Sequence, residues 1–91
     1  MGKFYYTYVL LSKFDGKLYI GWSNDLVGRV EKHNQGKVLV TKDRRPLKLV
    51  YYEACLSRQA AIKREKSLKS GFGRAYLKRR LKSEYSPVAQ R

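Results

Sequence analysis

The residues of this chain that could do chemistry are few, and they come in a definite order. Tyr8 stands in the aromatic run Tyr5-Tyr6-Thr7-Tyr8-Val9-Leu10-Leu11, Tyr19 opens Tyr19-Ile20-Gly21, Arg29 and His33 stand four apart, and Glu65 follows much later. Together they offer a phenol that can accept a proton, a guanidinium that can brace a developing charge, an imidazole, and a carboxylate that can hold a divalent cation. That combination suits the hydrolysis of a phosphodiester.

Each residue also has a plainer reading. On a helix, Arg29 and His33 share one side at the border of the Leu26/Val30 stripe, aimed at a cleft beside the core; alternatively they are a surface arginine and a helix-terminal histidine. Glu65 falls, at about 100° per residue, between Ala61, Ile62 and Leu68 on the inward arc, while Lys63, Arg64 and Lys66 lie away from it. An ionised carboxylate there needs a cation, either a metal or Lys69 one helical turn later. Of the eight tyrosines, Tyr5, Tyr6, Tyr51 and Tyr52 read as amphipathic core and interface residues.

The elements that must position these groups follow from periodicity and turn chemistry. Residues 4–11 read as a strand, Asp15-Gly16 as a turn and 17–21 as a second strand. Asn24 or Asp25 can cap a helix over about 26–34, which Gln35-Gly36 ends. Residues 37–46 read as an exposed basic loop, 47–54 as a third strand, and Ser57 as the cap of a helix to about Ser70. Gly71 and Gly73 interrupt that helix, and a last one over about 74–84 carries Leu77, Leu81 and Tyr85 at four-residue spacing, with a frayed tail from about residue 86. The order ββαβαα predicts an α/β or α+β domain with a small, largely antiparallel sheet.

Ninety-one residues allow one domain with one modest core, spanning 1–91. Lys and Arg number 21 against 7 Asp and Glu, a net charge of +14, and that field favours polyanions, DNA first with RNA as the alternative. Lys42, Arg44, Arg45, Lys63, Lys69, Arg74, Lys78 and Arg79 are the candidate phosphate contacts. No separate base-reading module is visible, so low sequence specificity is expected. The single cysteine, Cys55, excludes an intramolecular disulfide and a cysteine-rich zinc module, and a reducing cytoplasm fits, with nucleoid association if the source is bacterial. No apolar run approaches a membrane span, no leader cleavage site follows Lys3, and Tyr6 breaks the myristoylation pattern, so no membrane partner is expected.

Taken in order, Tyr6-Thr7-Tyr8, Tyr19-Ile20-Gly21 with ten residues between Tyr8 and Tyr19, Arg29, His33 and Arg64-Glu65-Lys66 resemble the GIY-YIG nuclease superfamily, close to its small single-domain bacterial members. The resemblance covers nearly the whole chain. It implies a three-stranded antiparallel sheet flanked by helices, tyrosines facing the arginine and glutamate, and divalent-metal-dependent DNA endonuclease activity, with any selectivity coming from DNA structure, in repair or recombination. It further implies one Mg²⁺ or Mn²⁺ on Glu65, Arg29 bracing the phosphate, Tyr19 or Tyr8 as base, and His33 orienting or sharing the proton. Two departures stand out: no Asn follows Asn34, where many relatives carry one after the glutamate, and Trp22-Ser23 replaces the Lys or Thr frequent after the second signature. They leave open a catalytically silent nucleic-acid-binding adaptor, or a nuclease subunit active only with a protein partner.

Overall fold

The computed structural model describes residues 3–82. Three antiparallel strands, β1 (Tyr5–Ser12), β2 (Leu18–Ser23) and β3 (Leu47–Cys55), lie in the order β2-β1-β3. Helix α1 (Leu26–Asn34) follows β2, and α2 (Arg58–Lys69) and α3 (Gly71–Arg80) follow β3. The expected three-stranded sheet and the ββαβαα order are both present. The tail from about residue 86 and the position of Tyr85 lie outside the described residues.

β1 is central and reads as a nearly unbroken apolar run because both its faces are covered. Val9 packs with Ile20 of β2 and with Leu68, Leu77 and Leu81 of the α2–α3 pair. Tyr8 and Leu10 point the other way and pack with Leu47, Leu49, Tyr19 and the Leu26/Val30 stripe of α1. Val9, Leu10, Leu68 and Leu77 are fully buried, and each such side chain contributes on the order of 1.5–3 kcal/mol over leaving it exposed. The Thr7 hydroxyl donates to the Ala61 carbonyl at 3.0 Å, so α2 is tied to β1 as well as packed on it.

Helix ends follow the local chemistry. Asp25 caps α1 by accepting from the Gly28 amide at 3.1 Å, and Ser57 caps α2 through the Ala60 amide. Beyond α1, Asn34 acts like a strand partner: its amide donates to the Leu47 carbonyl and its carbonyl accepts from the Leu47 amide, both at 2.8 Å. α3 begins at Gly71, earlier than the expected residue 74, because the Ser70 side chain accepts from the Gly73 amide and starts a new helix at once. Gly73 also lies where α2 and α3 cross most closely: a Cβ there would meet Leu68 Cα and the Ser67 carbonyl oxygen at 2.3 Å.

The segment 37–46 is not the fully exposed basic loop its composition suggests. Val38 and Thr41 are buried, Lys42–Arg44 forms a 3-10 turn, and Arg44 is braced against the hairpin turn through Asp15 at 2.8 Å and through Ser12, whose hydroxyl donates to the Arg44 carbonyl at 2.7 Å. Two small side chains aimed inward are enough to fold a loop whose other residues are charged.

Candidate functional site

β2 is an edge strand, and the site is built along that edge. Tyr8 pairs with Gly21 in the β1–β2 register, and its ring crosses over the glycine: a Cβ on residue 21 would sit 2.8 Å from Tyr8 Oη and 2.9 Å from Cζ. Gly21 is required for that approach, independent of any backbone freedom. The ring of Tyr19, on the same sheet face, lies 6.3 Å from that of Tyr8 and 5.0 Å from His33.

His33 is fully buried on the last turn of α1. Its Nε2 lies 2.8 Å from Tyr8 Oη and its Nδ1 lies 2.7 Å from Thr41 Oγ1, which is 3.4 Å from the Val38 carbonyl. Arg29 lies near the Tyr8 phenol and acts on it electrostatically. A main-chain carbonyl can only accept, so the chain of bonds has one consistent direction. Thr41 donates to Val38, His33 Nδ1–H to Thr41, and Tyr8 to His33 Nε2.

The electrostatics agree with that direction. Burial, with the charge of Arg29 second, holds the His33 imidazole down to about 4. Burial raises the Tyr8 phenol above its ordinary value, against the nearby Arg29 guanidinium, while Tyr19 and Glu65 add to the rise. Both groups are therefore neutral at pH 7. Thr41 was not foreseen: nothing in a run of basic residues marks one threonine as the partner of a histidine eight positions earlier.

Glu65 stands on α2, which packs on the other sheet face, and its charge adds the smallest of the contributions to the rise at the Tyr8 phenol. Its side chain is only 17% exposed, and Lys69 Nζ lies 2.9 Å from Oε2, so the ordinary helix-face ion pair is present. Oε1 has no protein partner among the described residues. Among those residues no group of three or more His, Cys, Asp or Glu side chains could enclose a metal. One carboxylate oxygen left open fits a Mg²⁺ or Mn²⁺ that keeps most of its water and takes other oxygens from a phosphate.

Arg58, Glu65 and Lys69 are spaced by seven and four residues, so they lie along one side of α2. Two clefts flank the tyrosine pair along that line. One, of about 510 Å³, is lined by Tyr19, Lys69, Arg74 and Lys78 among others; the second, of about 410 Å³, by Tyr5, Trp22, Ser23, Asn24, Arg29 and Arg58. Of the eight candidate phosphate contacts, Lys69, Arg74 and Lys78 thus adjoin the site. Arg44 is engaged with Asp15, and Lys42 and Arg45 stand on the far loop, where Arg45 Nε donates to the Lys42 carbonyl at 2.7 Å. Lys63 and Arg79 are exposed on α2 and α3 and line neither cleft. Arg64, expected to point outward, turns back to Glu53 at 2.9 Å and covers the Tyr76 ring.

Comparison with known proteins agrees with this arrangement. A family model described as the GIY-YIG catalytic domain matches residues 4–82. UPF0213 proteins of Staphylococcus aureus strains Mu3 and USA300 are 47% identical over 57 residues, covering 62% of this chain and 70% of each relative. The solution NMR structure of a UPF0213 protein from Bacillus halodurans superposes with a TM-score of 0.52 at 31% identity, covering 93% of this chain and 89% of that one.

Proposed function

From the premise that the chain belongs to the GIY-YIG catalytic domain family, a nuclease-type family, we propose that it is a divalent-metal-dependent DNA endonuclease. The observation that carries this reading is that Tyr19, Arg29 and Glu65 all act on Tyr8, the four residues coming from four separate elements, beside two clefts lined with cations.

Glu65 would hold one Mg²⁺ or Mn²⁺, whose charge supports the leaving 3′ oxygen. Arg29, beside Tyr8 on the wall of a cleft, braces the nonbridging oxygens as negative charge builds on them. Tyr8 is held protonated, so its part is to orient Arg29; His33 and Thr41 turn its lone pair toward the guanidinium and are positioning residues. Tyr19 is the phenol open to a cleft, and it accepts the proton of the attacking water. Low sequence selectivity follows from phosphate-directed contacts, and the preferred DNA structure from the shape of the edge. Action in the cytoplasm, on nucleoid DNA in repair or recombination, is part of the same reading.

Incubation with labelled duplex, single-stranded, flap and four-way-junction DNA, with Mg²⁺, Mn²⁺ or EDTA, tests it. Metal-dependent cutting should disappear in Glu65→Ala, with DNA affinity little changed, and in Arg29→Ala, with affinity reduced by the loss of one phosphate contact; wild-type rates in Glu65→Ala would remove the proposal. One observation favours a second reading, a binding adaptor without chemistry: Lys69 already neutralises Glu65. Binding with no cutting of any substrate in either metal would select it, or a subunit that needs a protein partner.

A further inference from the structure

We propose that the cleft between the end of β2 and the start of α2 binds an unpaired base of a DNA strand, directly beside the phosphate held at Arg29. The inference rests on the reading of the site as one that acts on DNA, and it names the substrate class: a strand that is single or locally unpaired.

The cleft is made of flat and hydrogen-bonding groups. Trp22 and Tyr5 supply aromatic surface, and the Arg58 guanidinium lies 5.3 Å from the centre of the Trp22 ring, a stack of cation on indole. Neither Arg58 nor Arg29 has a carboxylate partner among the described residues, so both charges are available to phosphates. The Asn24 side chain, exposed at the rim, offers a donor and an acceptor to a base edge. Arg29 lines this cleft and its charge also acts on Tyr8 and His33, so the cleft and the reacting centre share a wall. Arg58 and Glu65 are about 10 Å apart along the helix axis, the reach of a flanking nucleotide.

Nucleic acid is the ligand class that matches all of these at once. A base extends the indole–guanidinium stack, its phosphate meets Arg29 or Arg58, and its edge meets Asn24. Inside a duplex the base is already stacked on its neighbours and its hydrogen-bonding edge is occupied, so a paired strand cannot use the cleft without opening. The alternative is that Arg58 packs on Trp22 only to close the start of α2.

Trp22 is the single tryptophan of the chain, so its emission reports on the cleft alone. In EDTA, where no metal-dependent cutting occurs, the protein is titrated with a single-stranded oligonucleotide, a strand of equal length built of abasic sites, and a blunt duplex. The single strand should quench Trp22 and bind about tenfold more tightly than the abasic strand, as stacking of one base gives. The duplex should quench little. Trp22→Ala should erase the difference between normal and abasic strands and leave abasic affinity unchanged, while Trp22→Phe retains most of it. Arg58→Ala, on the helix surface, provides the same comparison should Trp22→Ala not fold. Equal affinity for normal and abasic strands, or equal quenching by duplex and single strand, overturns the proposal. Cutting is assayed separately in Mg²⁺. Base-dependent quenching without cutting keeps the subsite and removes the nuclease, and cutting without base-dependent quenching does the reverse.

Discussion

Thr41 carries no charge and touches no solvent, yet it decides which nitrogen of His33 bears the proton. Replacing it with valine keeps the shape and removes the only acceptor for Nδ1–H. Leaving that buried donor unpaired costs about 1–3 kcal/mol. We expect Thr41→Val to lose the Nδ1–H signal pattern in ¹⁵N NMR of the imidazole and to slow cutting, with Thr41→Ser restoring both. Unchanged spectra and rates would show that the threonine merely fills space.

His33 also sets a pH response with a definite sign. Well above pH 6.5 neither folded nor unfolded imidazole is charged. As pH falls from there toward 4, the unfolded chain takes up a proton that the folded site refuses, so stability declines, by up to about 3 kcal/mol, and the loss levels off below about pH 4. His33→Gln should flatten that part of a stability-against-pH curve measured by urea unfolding. Asp15, held down to about 2 by Arg44, adds its own loss only at more acid pH. At this scale the sequence made Tyr8, Tyr19, Arg29, His33 and Glu65 legible as a set, because their residue types and order are distinctive. It did not make their division of labour legible: that Tyr8 is locked and Tyr19 open follows from one glycine and one edge.

At the level of elements, the α2–α3 corner leaves no room for a side chain at Gly73. Gly73→Ala places a methyl group against the backbone of Leu68 and Ser67, which cannot yield as a flexible side chain would. Overpacking of this kind costs typically ~1–3 kcal/mol, and the strain falls on the packing of Leu77 and Leu81. A lowered urea midpoint with the slope retained is the expected result; an unchanged midpoint would mean that the corner has room. The same corner explains a boundary that sequence reading placed late. Two glycines signal a break, but only Ser70 acting as a cap shows that the break is also a start. Conversely, the first helix was legible to its ends, since Asp25, the Leu26/Val30 stripe and Gln35-Gly36 are all local signals.

Across the whole molecule, the net charge of +14 comes from the helices, the loops and the chain ends, with no charged residue on β1 or β2, and only part of it faces the β2 edge. Lys69, Arg74 and Lys78 on one side, and Arg29 and Arg58 on the other, line the two clefts. If these five neutralise five phosphates, the logarithm of the affinity for a single strand should fall with the logarithm of salt with a slope of roughly −3.5, about 0.7 for each contact. Removing Lys78 should lower that slope by about 0.7. Removing Lys42 and Arg45, on the loop beyond α1, should leave it unchanged. The reverse pattern would move the strand to the other side of the molecule.

By itself the sequence determined the order of elements, the aromatic first strand, the basic character and the family-defining residues, because strand and helix periodicity, caps and turns act over a few neighbouring residues. The tertiary structure alone decided the rest. It brought Thr41 under His33, gave Glu65 the ion pair with Lys69 while leaving one oxygen open, sent Arg64 back to Glu53, and placed Arg58 on Trp22 beside Arg29. Except for the Glu65–Lys69 pair, which is local to α2 and was open to the sequence as an i,i+4 partner, those pairings join side chains from different elements, and no local rule can choose among partners that only the packing of helices on a twisted sheet brings within reach.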